Sequence, residues 1–267
     1  MRPLPRLMVA PNGARRGKAD HPALPVTDDE LVETARACWQ VGADGLHMHI
    51  RDGAGRHLLD AGRYAALLDR LAAQVPGMYL QVTSEAAGRY EAEEQRAMMR
   101  ALKPTYVSVG LREMVRRPDD WPAARDFYLW AADTGIEIQH ILYSPHEVRA
   151  FADACASGLI PGLSHLLQFV QGSYANGSRD SVDLEDYLAP LDRAEGLTFD
   201  WMSCAFGADE TNSLVRAAKL GGKARVGFEN SLHHRDGTIA ADNAARVREV
   251  EAAIRNVSGA SDRVDVA

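Results

Sequence analysis

The segment His47-Met48-His49-Ile50-Arg51-Asp52 sets two imidazoles two residues apart within an apolar run. In an extended strand such residues share a face, so His47 and His49 point one way and Leu46, Met48 and Ile50 the other. A face packed on helices needs no histidine. The pair is therefore expected to point inward, where two ring nitrogens can meet one metal ion at about 2.0–2.1 Å. Two hydrogen-bonded histidines would show the same spacing, so a third ligand decides. Glu229 is the candidate, because Arg225, Gly227 and Glu229 share a parity opposite to Val226 and Phe228. A carboxylate buried there needs a cation or strong donors, since desolvation would otherwise neutralise it. Two neutral imidazoles and one carboxylate leave a divalent ion near +1 with an open position, which is the Lewis-acid arrangement. Zinc (Zn2+) is the first expectation, and iron suits the same ligand types.

Several residues near this set can contact a substrate. Arg225 and Arg51 can neutralise a carboxylate through a forked contact, although Arg51 can equally pair with Asp52. Thr83 and Ser84 close the run Gln81-Val82-Thr83-Ser84 and can donate to an oxyanion or cap the next helix. Asn12, Ser108, Gln139 and Gln168 are polar groups in apolar runs, expected either to converge on a pocket or to be satisfied inside the fold. His140 has the opposite parity to Gln139, and His146 sits at a helix start; both read as structural. Cys204 lacks a base partner and reads as a buried thiol.

The elements that must position these groups alternate along the whole chain. Strands are expected at Leu7 to Ala10, Gly45 to Ile50, Met78 to Val82, Tyr106 to Val109, Ile136 to Leu142, Leu163 to Val170, Leu197 to Ser203 and Arg225 to Phe228. Helical patterns fall between them, near residues 28–41, 61–74, 91–102, 121–134, 145–157, 182–190, 209–220 and 240–256. Thr27 with Glu30 can form a capping box, and Ser144-Pro145-His146-Glu147 supplies a cap, a first-turn proline and an acid. Eight β-α units in about 250 residues close most economically as an α/β fold of the (β/α)8 TIM-barrel class. The first turn, Pro11-Asn12-Gly13-Ala14, lacks the glycine spacing of a dinucleotide-binding open sheet. In a barrel, strand eight and strand two both flank strand one, about 10 Å apart, a gap that a histidine and a glutamate can span through a shared ion. The loops 11–26, 52–60, 111–120 and 171–181 would line the rim where barrel active sites are built.

With 267 residues, 30 basic against 37 acidic side chains and a net charge of −7, the chain has ample length for a core and no standing attraction to nucleic acid or anionic membrane. Composition at 46% hydrophobic and 25% charged argues against disorder. Cys38, Cys155 and Cys204 lie far apart and read as free thiols in a reducing compartment. No signal core or spanning segment is evident, so a soluble cytoplasmic protein, one domain over residues 1–267, is the expectation.

Taken in order, these residues resemble the β-keto acid cleavage enzyme family, represented by the 3-keto-5-aminohexanoate cleavage enzyme. The likeness runs nearly end to end: Ala10-Pro11-Asn12-Gly13-Ala14, His21-Pro22, Pro25-x-Thr27, Val41-Gly42-Ala43, His47-x-His49-x-Arg51-Asp52, Gln81-Val82-Thr83-Ser84, Leu102-Lys103-Pro104, Gln168-Phe169-Val170 and Arg225-Val226-Gly227-Phe228-Glu229. The resemblance implies a (β/α)8 barrel and a divalent metal, usually zinc, on His47, His49 and Glu229. It implies condensation of a β-keto acid with acetyl-CoA to give acetoacetate and a new acyl-CoA, with Arg225 binding substrate, Thr83 and Ser84 beside it, and a homodimer or homotetramer as the assembly. The rim residues Arg89, Tyr90 and Arg112 become candidates for a polar substrate tail or the CoA phosphates. Two positions depart from the family pattern. Asn230 stands where an aspartate usually follows the glutamate ligand, and the fifth strand reads Gln139-His140-Ile141-Leu142-Tyr143 where two glutamates usually alternate. Another group, such as His140, Glu85 or water on the metal, must then take the proton, or the chain acts on a different keto acid. A metal-dependent hydrolase or retro-aldol/Claisen lyase without CoA is the alternative; amidohydrolase barrels, with His-x-His on the first strand and an aspartate from the last, fit less well.

Overall fold

The computed structural model describes residues 2–174 and 182–261, with side chains in the last helix described to residue 257. The far part of the 171–181 loop and most of the tail after Ala260 lie outside the described residues. Eight parallel strands close a barrel: β1 (Leu7–Val9), β2 (Gly45–Met48), β3 (Tyr79–Thr83), β4 (Tyr106–Gly110), β5 (Glu137–Leu142), β6 (Ser164–Gln171), β7 (Thr198–Ala205) and β8 (Lys223–Val226). Helices α1 (Asp28–Gln40), α2 (Ala61–Gln74), α3 (Ala92–Leu102), α4 (Trp121–Thr134), α5 (Pro145–Ala156), α6 (Leu184–Leu188), α7 (Glu210–Lys219) and α8 (Asn243–Ser261) follow the strands in turn. The expected α/β class and (β/α)8 TIM-barrel architecture are therefore present, and β1 pairs with both β8 and β2.

Helix ends follow the chemistry of their sequences. Glu30 N–H donates to Thr27 Oγ1 at 3.2 Å and Thr27 N–H donates to Glu30 Oε2 at 3.0 Å, which starts α1 as a reciprocal cap. Ser144 Oγ accepts from Glu147 N at 3.2 Å ahead of Pro145 at the start of α5. Among the described residues no helix is long and apolar enough to cross a membrane.

Strand parity sorts the core into layers. Leu46, Met48, Val107, Val109, Leu167, Phe169 and Val226 face the helices in one large apolar cluster. Inside, Leu4, Met8, Tyr79, Leu166 and Met202 close the lower end of the barrel. Leu4 N–H donates to Asp200 Oδ2 at 2.7 Å, which ties the N-terminal segment across that floor. Polar side chains occupy the level above.

Two local differences from the sequence reading bear on the site. Residues 52–60, expected as a loop, include half of a short antiparallel ribbon, Ile50–Arg51 against His57–Leu58. The eighth strand, expected to reach Phe228, ends at Val226 because Gly227 has φ +142° and a side chain there would meet the Ala10 carbonyl at 2.4 Å. The chain turns at that point, and Glu229 N–H donates to Ala10 O at 3.1 Å. Glu229 thus projects from a turn anchored on β1.

Candidate metal centre

His47 and His49, at the end of β2, and Glu229, after β8, meet above the polar level of the barrel. The two Nε2 atoms are 3.0 Å apart, and Glu229 Oε2 lies 3.6 Å from His47 Nε2 and 3.5 Å from His49 Nε2. Metal bonds of 2.0–2.1 Å at tetrahedral angles set neighbouring donors about 3.3 Å apart, close to each side of this triangle. All three side chains are buried, and Glu229 Oε2 has no hydrogen-bond partner. A divalent ion satisfies that oxygen and both nitrogens at once, so the donor set fits a metal.

A chain of amides fixes the proton on His47. Gln139 Nε2 donates to the backbone carbonyl of Leu167 at 3.2 Å, which can only accept. Gln139 Oε1 then accepts from Gln81 Nε2 at 2.8 Å, and Gln81 Oε1 accepts from His47 Nδ1 at 2.8 Å. The proton sits on Nδ1, and Nε2 presents a lone pair to the triangle. Burial is the main reason that the pKa of His47 falls to about 4 and that of His49 to about 3, so both rings are neutral near pH 7. Burial alone would raise Glu229; the Arg225 guanidinium and the two imidazoles overcome it and hold the carboxyl well below its ordinary range.

Arg225 NH2 donates to Glu229 Oε1 at 3.0 Å, leaving Oε2 for the metal, and lies 3.3 Å from Cys204 Sγ and 3.4 Å from Asn230 Oδ1. Cys204 is a buried thiol pushed up to about 11, chiefly by burial. Asn230 is buried with its Nδ2 unpartnered.

A cavity of about 430 Å³, within the range of small-molecule sites, opens beside the triangle. His47, Glu229, Arg225, Thr83, Glu85 and Arg112 all border it. Thr83 Oγ1 accepts from Glu85 N at 3.0 Å. Ser84 Oγ, by contrast, donates to Ser108 O at 2.9 Å, and Ser108 Oγ lies 3.5 Å from Thr83 Oγ1. The remaining candidates stand behind the site. Asn12 Nδ2 donates to Pro25 O at 3.1 Å and His49 O at 2.8 Å, and its Oδ1 accepts from His49 N at 3.3 Å, so it clamps the backbone of a ligand. Arg51 donates to the carbonyls of Gly55, Asn12, Gly13 and Arg16, which shapes the loop after β1; it does not pair with Asp52. Gln139 belongs to the amide chain, and Gln168 Nε2 donates to Phe169 O.

His140 faces outward against Tyr128, Phe151 and His165, away from the cavity, which removes it as a proton acceptor for the site. Arg89 is drawn to His57 O and Tyr90 accepts from Leu59 N, whereas Arg112 reaches the cavity. The sequence reading passed over Gln81 as a functional side chain. Its signal was an inward polar residue registered against His47 on the neighbouring strand. Glu85, one of the groups raised as alternatives by the departures from the family pattern, borders the cavity. Burial, then Glu229 and Glu113, raises it to about 7, and its Oε2 is 3.7 Å from His49 Nδ1.

A family model described as beta-keto acid cleavage enzyme matches residues 6–263. The chain belongs to that family. It is 31% identical over 257 residues to 3-oxoadipate:acetyl-CoA acetyltransferase of Cupriavidus necator, covering 92% of this chain and 87% of the relative. It is 24% identical to 3-keto-5-aminohexanoate cleavage enzyme of Fusobacterium nucleatum, covering 89% and 86%. Among solved structures, the ternary complex of ObcA with C4-CoA adduct and oxalate superposes with a TM-score of 0.66 at 16% identity. That match covers 90% of this chain and 65% of the larger protein, and at this identity it speaks for the fold. The family's description and the buried triangle, which could hold a metal ion, together support a metal-assisted cleavage of a β-keto acid.

Proposed function

We propose that this protein is a zinc-dependent β-keto acid cleavage enzyme that exchanges acyl groups between a β-keto acid and acetyl-CoA. R–CO–CH2–COO⁻ and CH3–CO–S-CoA give CH3–CO–CH2–COO⁻ and R–CO–S-CoA. The bond between R–CO and CH2 breaks with the acetyl thioester bond, the CH2 carbon and the sulfur exchange acyl partners, and no net proton or electron is transferred. The observation that carries this reading is the buried His47, His49 and Glu229 triangle, of which His47 and Glu229 border a cavity also lined by Thr83, Arg225 and Glu85. Acetyl-CoA as co-substrate is supported by the acetyltransferase relative.

His47, His49 and Glu229 would hold the zinc ion, which would supply Lewis acidity beside the keto group and the adjacent CH2. Glu85, which borders the cavity, takes the CH2 proton and returns it to product. Thr83 donates to the substrate carboxylate. Arg225 holds Glu229 to one orientation and adds positive charge beside the developing enolate. Asn230, bonded to Arg225, keeps that guanidinium in place instead of acting as a base. A homodimer or homotetramer in the cytoplasm belongs to the same proposal.

The test is turnover of metal-loaded protein with acetyl-CoA and a panel of β-keto acids. Acetoacetate and acyl-CoA are expected in a 1:1 ratio, lost on chelation and restored by zinc. Cleavage of the keto acid without acetyl-CoA would instead assign a hydrolase or retro-Claisen lyase.

A further inference from the structure

The turn that carries Glu229 is held through its carbonyls by a side chain of the neighbouring loop. Arg16, in the loop after β1, donates from NH1 to Phe228 O at 2.6 Å and Glu229 O at 3.3 Å, and from NH2 to Asn230 O at 3.4 Å. Among the described residues no other donor reaches Phe228 O or Glu229 O. Phe228, Glu229 and Asn230 are all buried. Buried carbonyls outside helix and sheet need such a partner, and a guanidinium offers several donors in one rigid plane.

The same loop is tied to the strand that supplies the histidines. Arg51, two residues beyond His49, donates to Arg16 O at 3.0 Å, to Asn12 O at 3.3 Å and to Gly13 O. Arg63 NH1 in turn donates to Arg51 O at 2.7 Å. Gly13 lies against the third ligand itself, since a side chain there would meet Glu229 Cγ at 2.5 Å. Two arginines in series thus join the end of β2 to the Glu229 turn, and the loop between them packs on the stem of the carboxylate. Arg16 Cζ also lies 5.4 Å from the ring centroid of Tyr174, a contact that narrows the rotamers open to the long side chain.

Resting on the zinc site proposed above, we infer that Arg16 is a positioning residue for the metal: by gripping three consecutive carbonyls it fixes where the Glu229 carboxylate stands relative to His47 and His49. The N–H groups of the turn have their own partners, Glu210 Oε1 for Gly227, Asn243 Oδ1 for Phe228 and Ala10 O for Glu229. Arg16 holds the carbonyl side with charge-assisted bonds, which are stronger than neutral ones. Without it the turn is tethered along one side of its peptide planes and can tilt, and Glu229 Oε2 leaves the triangle.

The experiment measures zinc affinity by chelator competition in wild type, Arg16→Met, Glu229→Ala and the double variant. Methionine keeps an apolar stem against Tyr174 and removes every donor. Arg16→Met is expected to weaken zinc binding about 10–100-fold in the wild-type background. In the Glu229→Ala background the same change should cost no more than about twofold, because a residue that acts through Glu229 has nothing left to position. Unchanged affinity in Arg16→Met overturns the inference. So does an equal loss in both backgrounds, which a general loosening of the fold would give. Should Arg16→Met not fold, Arg16→Lys, which keeps one charged group and loses the fork, takes its place in the same cycle with the same reading of the outcomes. A wild type that takes up no zinc overturns the zinc site and the inference together, whereas zinc uptake without thioester exchange overturns the acyl exchange alone and leaves the affinity cycle to decide the inference.

Discussion

Nδ1 of His49 faces Oε2 of Glu85 at 3.7 Å, while Nε2 on the other side of the same ring faces Oε2 of Glu229 at 3.5 Å. One imidazole therefore stands between the metal position and the carboxylate proposed to move the proton. Glu85→Gln keeps the shape and removes the base. The expected result is a fall in kcat of about 10²–10⁴-fold with metal content unchanged. Single-turnover rates and metal analysis on the same preparation check it, and retained kcat would remove Glu85 from the proposed mechanism.

Gln81→Leu tests the amide chain. Leucine fills the inward position but gives His47 Nδ1 no acceptor, so the ring loses the bond that holds its bare Nε2 toward the ion. Metal affinity should fall about 10–100-fold. Competition with a chromophoric chelator measures it; an unchanged affinity would show that the chain is only packing.

The period-two alternation around His47 exposed the inward pair in the sequence, because Leu46, Met48 and Ile50 take the helix-facing side of the strand and leave His47 and His49 the other. Barrel closure then brought Glu229 within reach, since β8 and β2 both border β1. What parity could not show is where a polar group spends its bonds. Asn12 and Arg51 look like substrate binders by type, yet their partners are backbone carbonyls, Pro25 O and His49 O for Asn12 and Arg16 O among others for Arg51, whose positions exist only once the chain has folded. Ser84 follows the same logic, with its hydroxyl donating to Ser108 O. The turn that aims Glu229 was hidden because a glycine within a short apolar run reads as strand until its clash with Ala10 is known.

His140 gives a pH dependence away from the metal. Burial, with His165 adding to it, holds its pKa well below 6.5. The unfolded chain takes up a proton near pH 6.5 that the folded chain refuses, so stability is full above that pH and falls as the solution is acidified. The slope is at most about 1.4 kcal/mol per pH unit below that pH. His140→Phe suits the aromatic surroundings of Tyr128 and Phe151 and should flatten the urea-unfolding profile by that amount. An identical profile in the variant would refute the assignment.

Gly227→Ala probes how backbone geometry sets the third ligand. The added methyl meets Ala10 O at 2.4 Å and Ala10 C at 2.9 Å, both backbone atoms directly after β1 that cannot swing aside. Ala10 N–H donates to Val226 O at 2.8 Å, and Ala10 O accepts from Glu229 N, so relief of the clash must displace the turn that carries the carboxylate. Gly77 supplies the control: its φ of +82° is also left-handed, but a methyl there meets nothing within 4 Å. Gly77→Ala should cost only the backbone strain, about 1–2 kcal/mol, whereas Gly227→Ala should cost at least about 3 kcal/mol and weaken metal binding as well. Chemical denaturation and chelator competition on both variants separate the effects. Equal metal affinity in the two would mean that Glu229 finds the ion without the turn, and that the position of this ligand is set by the metal and not by the fold.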